Sequence, residues 1–275
     1  MDLQLAGKRA LVTGSTKGIG RGIAVALAAE GAEVVVHGRT REGAEETAAI
    51  IREAGGKAHV AVGDISHDEG AAAVVEAVQA ATGGVDILVN NVGSSEGSGG
   101  AKADWFDVVP DYWAASMQIN FIGAVRLIHA LVPAMKERKW GRVINIASAG
   151  ATAPTLVVPD YCAAKAALVN MTVGLSKALS RTGVTVNAVS PGPTRTSMME
   201  RAIARYGEQF GWPEDISMDE GEQRMMDLGQ FPCDSPRYGR PEEIGALVAF
   251  LASPLSTFIN GANYRIDGGQ CQTIN

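Results

Sequence analysis

Short runs of β-branched residues alternate along the chain with alanine-rich segments of helical periodicity. The runs predict seven strands, which read RALVTG, AEVVVHG, KAHVAVGD, VDILVNN, GRVINIAS, VTVNAVSPG and ANYRIDGG. Helical patterns lie between them, at roughly 18–30, 41–54, 67–81, 111–138, 160–181 and 241–252. Because the runs are apolar on both faces, they are typical of a parallel sheet covered by helices on both sides. The alternation predicts a single doubly wound α/β domain of the Rossmann type over residues 1–275, with a seven-stranded, mostly parallel sheet.

Composition narrows the class of protein further. The 275 residues are 46% hydrophobic and carry a formal net charge of −6, which argues against nucleic acid or an anionic membrane as the main partner. The three cysteines have neither metal-ligand spacing nor a disulfide framework, so we expect no metal and a reducing compartment. The N-terminus does not resemble a signal peptide, and the longest apolar run contains Arg126 and His129. We therefore expect a soluble, cytoplasmic protein without a membrane span.

One segment breaks the alternation, at roughly 193–238, where methionine, proline and acidic residues concentrate. A long insertion in such a fold is often a lid over the ligand site. Its apolar side chains fit two alternatives equally: the wall of a site for an apolar substrate, or packing on the core or on a neighbouring subunit. These side chains are Met198, Met199, Phe210, Trp212, Met218, Met225, Met226 and Phe231.

The first strand ends in a glycine-rich turn, TGSTKGIGRGIA, that leads into a helix. Glycine permits a tight turn and a close approach of the backbone to a ligand, and a helix N-terminus favours a phosphate. The spacing G-x-x-x-G-x-G is neither the commonest dinucleotide fingerprint nor a P-loop. Its position between a strand and a helix nevertheless favours a bound dinucleotide over a turn without a ligand. The candidate cofactor-binding residues of this turn are Gly14, Ser15, Lys17, Gly18, Ile19 and Gly20.

The end of the second strand indicates which dinucleotide is bound. A carboxylate that accepts a hydrogen bond from the ribose 2′-hydroxyl of NAD usually lies there. The chain instead has His37, Gly38 and Arg39. Arg39, with Lys17 across the glycine-rich turn, is placed to meet a 2′-phosphate, and the alternative is a solvated arginine at a strand end. We therefore predict that NADP(H) is favoured over NAD(H).

A competing motif, GSSEG at 93–97, matches the G-x-S-x-G nucleophile elbow of an acyl hydrolase, with Ser95 as the nucleophile. Such an elbow leads directly into a helix, but here the sequence continues as a glycine-rich loop. The single histidine downstream, His129, lies inside a helical pattern. The hydrolase alternative is therefore disfavoured.

Tyr161 and Lys165 are four residues apart in an alanine-rich helical pattern, so they share one face. A cation beside a phenol favours the phenolate. Lowering a tyrosine pKa from about 10 to near neutrality needs about 3–4 kcal/mol, which an exposed lysine does not supply but a cleft with a cationic nicotinamide ring does. Such a tyrosine can give a proton to a ketone or take one from an alcohol. Ser148, at a strand end, and Asn120, a polar interruption of a long helix, are candidate partners.

These motifs together closely resemble the short-chain dehydrogenase/reductase family, near its 3-oxoacyl-carrier-protein-reductase-like branch, over essentially the whole chain. The resemblance implies that Tyr161 is the acid/base, that Lys165 modulates its pKa and binds the ribose, and that Ser148 donates to the carbonyl oxygen. It implies that Asn120 anchors a water in a proton relay, and that the protein is a homotetramer or a dimer. Further cofactor-binding residues that it implies are Asp64, Ile65, Asn91, Gly93, Pro191, Gly192, Thr194 and Thr196. One departure is Val92, where the family usually has alanine.

We interpret the chain as an NADP(H)-dependent oxidoreductase that interconverts a secondary alcohol and a ketone in a small molecule. The alternative from another class is a dinucleotide-binding regulator without turnover. The complete set of Asn120, Ser148, Tyr161 and Lys165 argues against the regulator.

Overall fold

Seven strands form one sheet in the computed structural model of the protein, which describes residues 1–95, 105–155 and 157–273. Their order across the sheet is β3-β2-β1-β4-β5-β6-β7, and each neighbouring pair is parallel. The expected fold class is therefore confirmed, with a sheet that is parallel throughout. The strands are β1 (Arg9–Val12), β2 (Glu33–Gly38), β3 (Lys57–Val62), β4 (Ile87–Asn90), β5 (Gly141–Ile146), β6 (Val184–Pro191) and β7 (Asn263–Ile266).

Helices cover both faces of the sheet, because each strand sends alternate side chains to opposite faces. In β1, Ala10 and Val12 join a core beneath α1, α2 and α9, whereas Leu11 joins a second core beneath α3 and α5. The helices are α1 (Gly18–Ala29), α2 (Arg41–Glu53), α3 (Asp68–Thr82), α4 (Pro110–Met117), α5 (Gly123–Glu137), α6 (Pro159–Ala178), α7 (Ser197–Phe210), α8 (Met218–Asp227) and α9 (Pro241–Ala252).

The strand order reverses between β1 and β4. From β1 the chain moves outward to β2 and β3, and it then crosses back to β4 on the other side of β1. At such a switch point the loops that follow the two strands diverge and leave a crevice for a ligand. The glycine-rich turn follows β1, and the Asn91–Gly93 segment follows β4, so both predicted cofactor segments lie at this crevice.

The segment predicted as one helix over 111–138 consists of α4 and α5, joined by a π-helical turn at Gln118–Ile122 that contains Asn120. The widened turn has no signature in the apolar periodicity, which continues through it. Because π-helical turns within helices frequently occur at functional sites, this turn supports a functional role for Asn120.

By length and composition alone, the run Pro110–Glu137 is long and apolar enough to cross a membrane, contrary to our expectation. In the fold, Leu127, Leu131 and Met135 of this run are buried against the sheet in the second core. The run is therefore accounted for as a core helix.

The segment at 193–238 contains two helices that the sequence analysis did not predict, α7 and α8. They pack on each other through a small core of their own, formed by Met199, Ile203, Met225 and Tyr238. Several of the apolar residues of this lid thus contact one another, and its role as a substrate wall or as a contact with the core or a neighbouring subunit stays a prediction. Met198 lies outside this small core, with 57% of its surface exposed.

Candidate active site

The glycine-rich turn is held in a conformation that requires glycine. Gly14 and Gly18 have positive φ angles, +61° and +54°, which other residues rarely adopt. A Cβ atom at Gly20 would lie 2.3 Å from the carbonyl oxygen of Gly14. The amide of Asn91 donates to the carbonyl oxygens of Thr13 (2.9 Å) and Gly14 (3.1 Å), so the segment after β4 braces the turn.

His37, at the end of β2, connects this turn to β3. Its Nδ1 accepts a hydrogen bond from the main-chain N–H of Gly14 (3.0 Å), and its Nε2 lies 3.0 Å from the carbonyl oxygen of Gly63. The two partners fix the neutral tautomer that carries its proton on Nε2. Burial of the ring lowers the pKa of His37, which favours the same neutral form. The sequence analysis used His37 only as evidence that a carboxylate is absent.

The side chain of Ser15 makes hydrogen bonds to other residues of the protein. It is fully buried, its hydroxyl donates to the carbonyl oxygen of Val12 (2.7 Å), and the same oxygen accepts the N–H of His37 (3.0 Å). Lys17 and Arg39 are exposed, as contacts to a phosphate require. Ser15 therefore supports the turn from inside the fold, whereas the two cations face solvent beside it.

Asp64, which follows β3, accepts hydrogen bonds from the N–H (3.0 Å) and the hydroxyl (2.6 Å) of Ser66. The hydrogen bond from the Ser66 hydroxyl is the largest of the effects that hold the pKa of Asp64 below its usual range, and the positive charge of Arg39 contributes to it. Ile65, the next residue, is buried. Arg39, Asp64 and Ile65 thus lie together at the carboxyl ends of β2 and β3.

The ammonium group of Lys165 is buried between two neighbouring strands. Its Nζ donates to the carbonyl oxygens of Ile146 (2.9 Å), at the end of β5, and Val92 (3.3 Å), after β4. The same Nζ lies 5.7 Å from the centre of the Tyr161 ring, as expected for residues one turn apart on α6. Burial lowers the pKa of Lys165 to about 8, so most of the population is still positively charged at neutral pH.

Tyr161 keeps its proton in the protein alone. Burial raises the pKa of its phenol to about 12, and a hydrogen bond with Ser148 acts in the opposite direction without offsetting it. Lys165 alone therefore does not lower the pKa of Tyr161, and the lowered pKa that we expect with a bound cationic nicotinamide ring stays a prediction. The raised pKa results from desolvation, which the spacing of residues does not reveal. A protonated phenol suits the transfer of a proton to a ketone.

Asn120 holds the first part of the loop that follows β4. Its side-chain nitrogen donates to the carbonyl oxygens of Ser94 and Ser116, both at 3.0 Å, and its Oδ1 accepts the N–H of Ser94 (2.9 Å). Both amide hydrogens are therefore used within the protein. A relay water bound to this side chain would have to donate to Oδ1.

Gly93 lies between the two catalytic candidates that the sequence analysis placed in a proton relay. A Cβ atom at this position would lie 2.8 Å from Nζ of Lys165 and 3.2 Å from Oδ1 of Asn120. A contact as short as that with Lys165 is essentially never shown by a real Cβ atom, and the contact with Asn120 would be unusually tight. The absence of a side chain at position 93 therefore keeps Lys165 and Asn120 close together.

The segment after β6 reaches the glycine-rich turn from the other side. Pro191 ends β6, and a Cβ atom at Gly192 would lie 2.6 Å from Cα of Asp267. Thr194 is buried, and its hydroxyl donates to the carbonyl oxygen of Gly192 (3.0 Å). The methyl group of Thr196 would contact a Cβ atom at Gly18 at 3.2 Å. The predicted cofactor residues of β6 thus lie next to those of β1.

The nucleophile elbow is not formed in the part of the motif that the structure describes. Gly93, Ser94 and Ser95 are not part of a helix or strand, and the rest of the motif, 96–97, lies outside the described residues. His129 is exposed on α5. Within residues 1–95, 105–155 and 157–273, no cluster of three or more histidine, cysteine and acidic side chains is arranged to hold a metal ion.

The fold and the site together define an α/β oxidoreductase with a dinucleotide crevice and a serine, tyrosine and lysine beside it. Residues 8–207 match the model of the short chain dehydrogenase family, and the chain belongs to this family. Its members among the relatives are named as oxidoreductases, dehydrogenases and reductases, and the protein is an NAD(P)-dependent enzyme of this kind.

Individual relatives agree with this assignment. The chain is 38% identical, over the full length of both proteins, to the uncharacterized oxidoreductase YvaG of Bacillus subtilis (strain 168). It is 33% identical to the 3-oxoacyl-[acyl-carrier-protein] reductase FabG of Vibrio cholerae, over 97% of this chain and 98% of that protein. Among solved structures, L-sorbose reductase from Gluconobacter frateurii, complexed with NADPH and L-sorbose, has a TM-score of 0.90 at 30% identity, with both chains fully covered. The resemblance stated from the sequence is therefore confirmed.

Proposed function

We propose that the protein is an NADP(H)-dependent reductase of a ketone in a small molecule, and that it also catalyses the reverse oxidation of a secondary alcohol. The observation that carries this proposal is the arrangement of Ser148, Tyr161 and Lys165 at the carboxyl ends of β4 and β5, beside the switch-point crevice. A protonated phenol, a hydroxyl and a buried cation are the groups that a carbonyl oxygen needs as it becomes an alcohol.

The proposed roles follow from the contacts of each group. The hydroxyl of Ser148 holds the carbonyl oxygen, and Tyr161 donates its proton to that oxygen. Lys165 then stabilises the phenolate that remains, because its ammonium group lies 5.7 Å from the ring. When bound, the nicotinamide cofactor supplies the hydride that reduces the carbonyl carbon. The phenol regains a proton through the relay that we propose for Lys165 and Asn120.

The glycine-rich turn and the ends of β2 and β6 fit a dinucleotide. Gly14 and Gly18 have positive φ angles, which favour glycine. The turn therefore has no side chains at these positions, where its backbone faces the crevice. Arg39 and Lys17 are the exposed cations beside the turn, and Arg39 lies close enough to Asp64 to influence its pKa. These features support NADP(H) as the cofactor, with Arg39 at the 2′-phosphate. The L-sorbose reductase and the NADP-bound 3-oxoacyl reductase among the structural neighbours support the same choice.

The activity is tested by the loss of NADPH absorbance in the presence of ketones. The panel should include ketoses and 3-oxoacyl thioesters, because the named relatives act on compounds of these types. We expect reduction of at least one of these ketones with NADPH. Tight NADPH binding without turnover of any of them would instead favour a dinucleotide-binding regulator.

Cofactor choice is tested by fluorescence titration of NADPH and NADH. We expect NADPH to bind at least about tenfold more tightly at low salt, because one charge-assisted hydrogen bond changes affinity by about this factor. Raising the salt should narrow the difference, since Arg39 is exposed. Arg39→Asp should reverse the preference, because a carboxylate repels the phosphate and accepts a hydrogen bond from the hydroxyl.

Lys57→Asp is a matched control for this titration. Lys57 is an exposed residue at the start of β3, at the amino ends of the strands and away from the crevice, and the substitution changes the net charge by the same amount. We expect this variant to retain the preference for NADPH. Equal or tighter binding of NADH by the wild-type protein would show that Arg39 does not contact the cofactor.

A further inference from the structure

A carboxylate on the lid helix α8 is buried against two arginines. Glu222 is only 2% exposed, and its Oε1 lies 2.5 Å from Nε of Arg195 and 3.4 Å from Nη1 of Arg240. Arg195 also pairs with Asp219, whose side chain is 83% exposed. A buried charge is costly unless it is paired, so the position of Glu222 depends on both arginines. The sequence analysis missed this cluster because Arg195 and Glu222 are far apart in the chain.

Arg195 stands between two residues that we assign to the cofactor site. Its main-chain N–H donates to the carbonyl oxygen of Gly239 (2.9 Å), and Thr194 forms an isolated parallel bridge with the same glycine. Thr196, on the other side, contacts the turn at Gly18. Arg195 therefore belongs to the short segment, 194–196, that forms the wall of the crevice opposite the glycine-rich turn.

We propose that Glu222 is a positioning residue for the cofactor, which acts through Arg195. Main-chain hydrogen bonds hold the 194–196 segment to Gly239. The guanidinium of Arg195 links the same segment to Glu222 on α8. An arginine fork that pairs with a carboxylate fixes direction as well as distance. The lid thereby sets the distance between Thr196 and the glycine-rich turn. This inference rests on the proposed function, since it requires a dinucleotide in the crevice.

The test compares NADPH affinity, by fluorescence titration, in the wild-type protein, Glu222→Gln and Glu220→Gln. Glu220 lies on the same helix but pairs with Arg224 at the surface, so its variant is a matched control. We expect Glu222→Gln to weaken NADPH binding about tenfold, the size expected when a charge-assisted hydrogen bond is lost. Glu220→Gln should change the affinity less than about twofold, because exposed ion pairs contribute little.

Steady-state kinetics separate positioning from a general loss of structure. In Glu222→Gln the KM for NADPH should rise about tenfold, whereas kcat at saturating cofactor should fall less than about threefold, because Tyr161 and Lys165 are unchanged. A structural defect would instead reduce the fraction of active enzyme, and therefore kcat. Unaltered NADPH affinity and KM in a folded Glu222→Gln protein would overturn the proposal.

Arg195→Lys covers the case in which Glu222→Gln does not fold. It keeps the positive charge beside Glu222 but removes the planar fork, so we expect NADPH binding to weaken several-fold. Wild-type affinity in this variant would also overturn the proposal. If the wild-type protein itself binds neither NADPH nor NADH, the proposed function fails before the role of Glu222 is tested, so the two failures are distinguishable.

Discussion

At the scale of single residues, the site depends on Tyr161 and Lys165, two side chains whose pKa values are shifted by burial. Lys165 is held by two main-chain carbonyl oxygens, which keep it directed at the ring of Tyr161. Burial favours the neutral form of both side chains, and so it raises the pKa of Tyr161 to about 12 and lowers that of Lys165 to about 8. The phenol is therefore ready to donate a proton at neutral pH.

Tyr161→Phe removes the phenolic hydroxyl and keeps the ring. We expect kcat for ketone reduction to fall at least about a hundredfold, the low end for a positioned acid, while NADPH affinity remains within a few-fold of the wild type. Stopped-flow and titration experiments with NADPH measure the two quantities separately. Tyr264→Phe, the same change on β7, should leave turnover within a few-fold. Near-normal kcat in Tyr161→Phe would remove this residue from the mechanism.

His37 should make the stability of the protein depend on pH. The folded state holds the ring neutral with a pKa below 6.5, whereas the unfolded chain takes up a proton near that value. Below about pH 6.5 the unfolded state thus binds more protons than the folded state does. The free energy of unfolding therefore decreases by up to about 1.4 kcal/mol per pH unit, until the pH falls below the pKa of His37 in the folded state. Above pH 7 the effect is absent.

Urea unfolding of the wild type and of His37→Gln, measured between pH 5.5 and about 8, checks this expectation. The decrease on acidification should be smaller in His37→Gln than in the wild type. His67→Gln is the control, because His67 is exposed on the loop before α3. The same slope in the wild type and in His37→Gln would mean that another group is responsible.

At the scale of secondary-structure elements, one arginine joins three of them. Arg142 is 1% exposed at the start of β5, and its guanidinium donates to the carbonyl oxygens of Gly141 (2.9 Å), Gly183 (3.3 Å) and Ser253 (3.4 Å). Ser253 follows the C-terminus of α9, where a positive charge is favoured by the helix dipole. Burial lowers the pKa of Arg142 to about 10, so it stays charged at neutral pH.

Arg142→Met should lower the free energy of unfolding by about 3 kcal/mol, because it removes the guanidinium from the carbonyl oxygens of Gly141 and Gly183 and from the hydroxyl of Thr257. Urea unfolding at a fixed protein concentration measures the change. Lys136→Met, at an exposed position near the end of α5, should change stability by less than about 0.5 kcal/mol. A loss in Arg142→Met as small as that in the control would mean that water replaces the guanidinium.

The features that could be predicted from the sequence are those whose residues lie close together in the chain. The strands, most helices, the glycine-rich turn and the Tyr161–Lys165 pair come from patterns within about 20 residues, and periodicity captures these. The two helices of the lid were not predicted although each has an apolar face, because the methionine, proline and acidic residues of this segment indicated an insertion instead. The π-helical turn at Asn120, the sign of the pKa shift of Tyr161 and the pairing of Arg195 with Glu222 all depend on tertiary contacts, which a single sequence does not display.

At the scale of the whole molecule, α6 carries the proposed catalytic pair on one face and small residues on the other. Ala163, Asn170, Val173 and Gly174 of this helix are exposed, and a Cβ atom at Gly174 would meet nothing within 4 Å. A helix face of small residues allows close approach of a second helix. The homotetramer implied by the family resemblance remains a prediction, and this face is where we expect its subunits to meet.

Light scattering coupled to size-exclusion chromatography tests the assembly. We expect a mass near four times the 28.6 kDa of one chain. Val173→Lys should lower this mass, because a charge would be placed in the contact. Ile50→Lys, a similar change at an exposed position of α2, should not. A tetramer that persists in Val173→Lys would show that this face of α6 is not used.

The pairing of β1 with β4 also has a consequence for the way in which the chain leaves the ribosome. Ala10 pairs with Ile87, so the second partner of β1 is translated long after β1 itself. At about 5–20 residues per second, that delay is about 4–15 s. During the delay, Asn91 is not yet present to brace the glycine-rich turn, and one edge of β1 lacks its neighbour. We expect this edge to be the part of the nascent protein most open to mispairing with other strands.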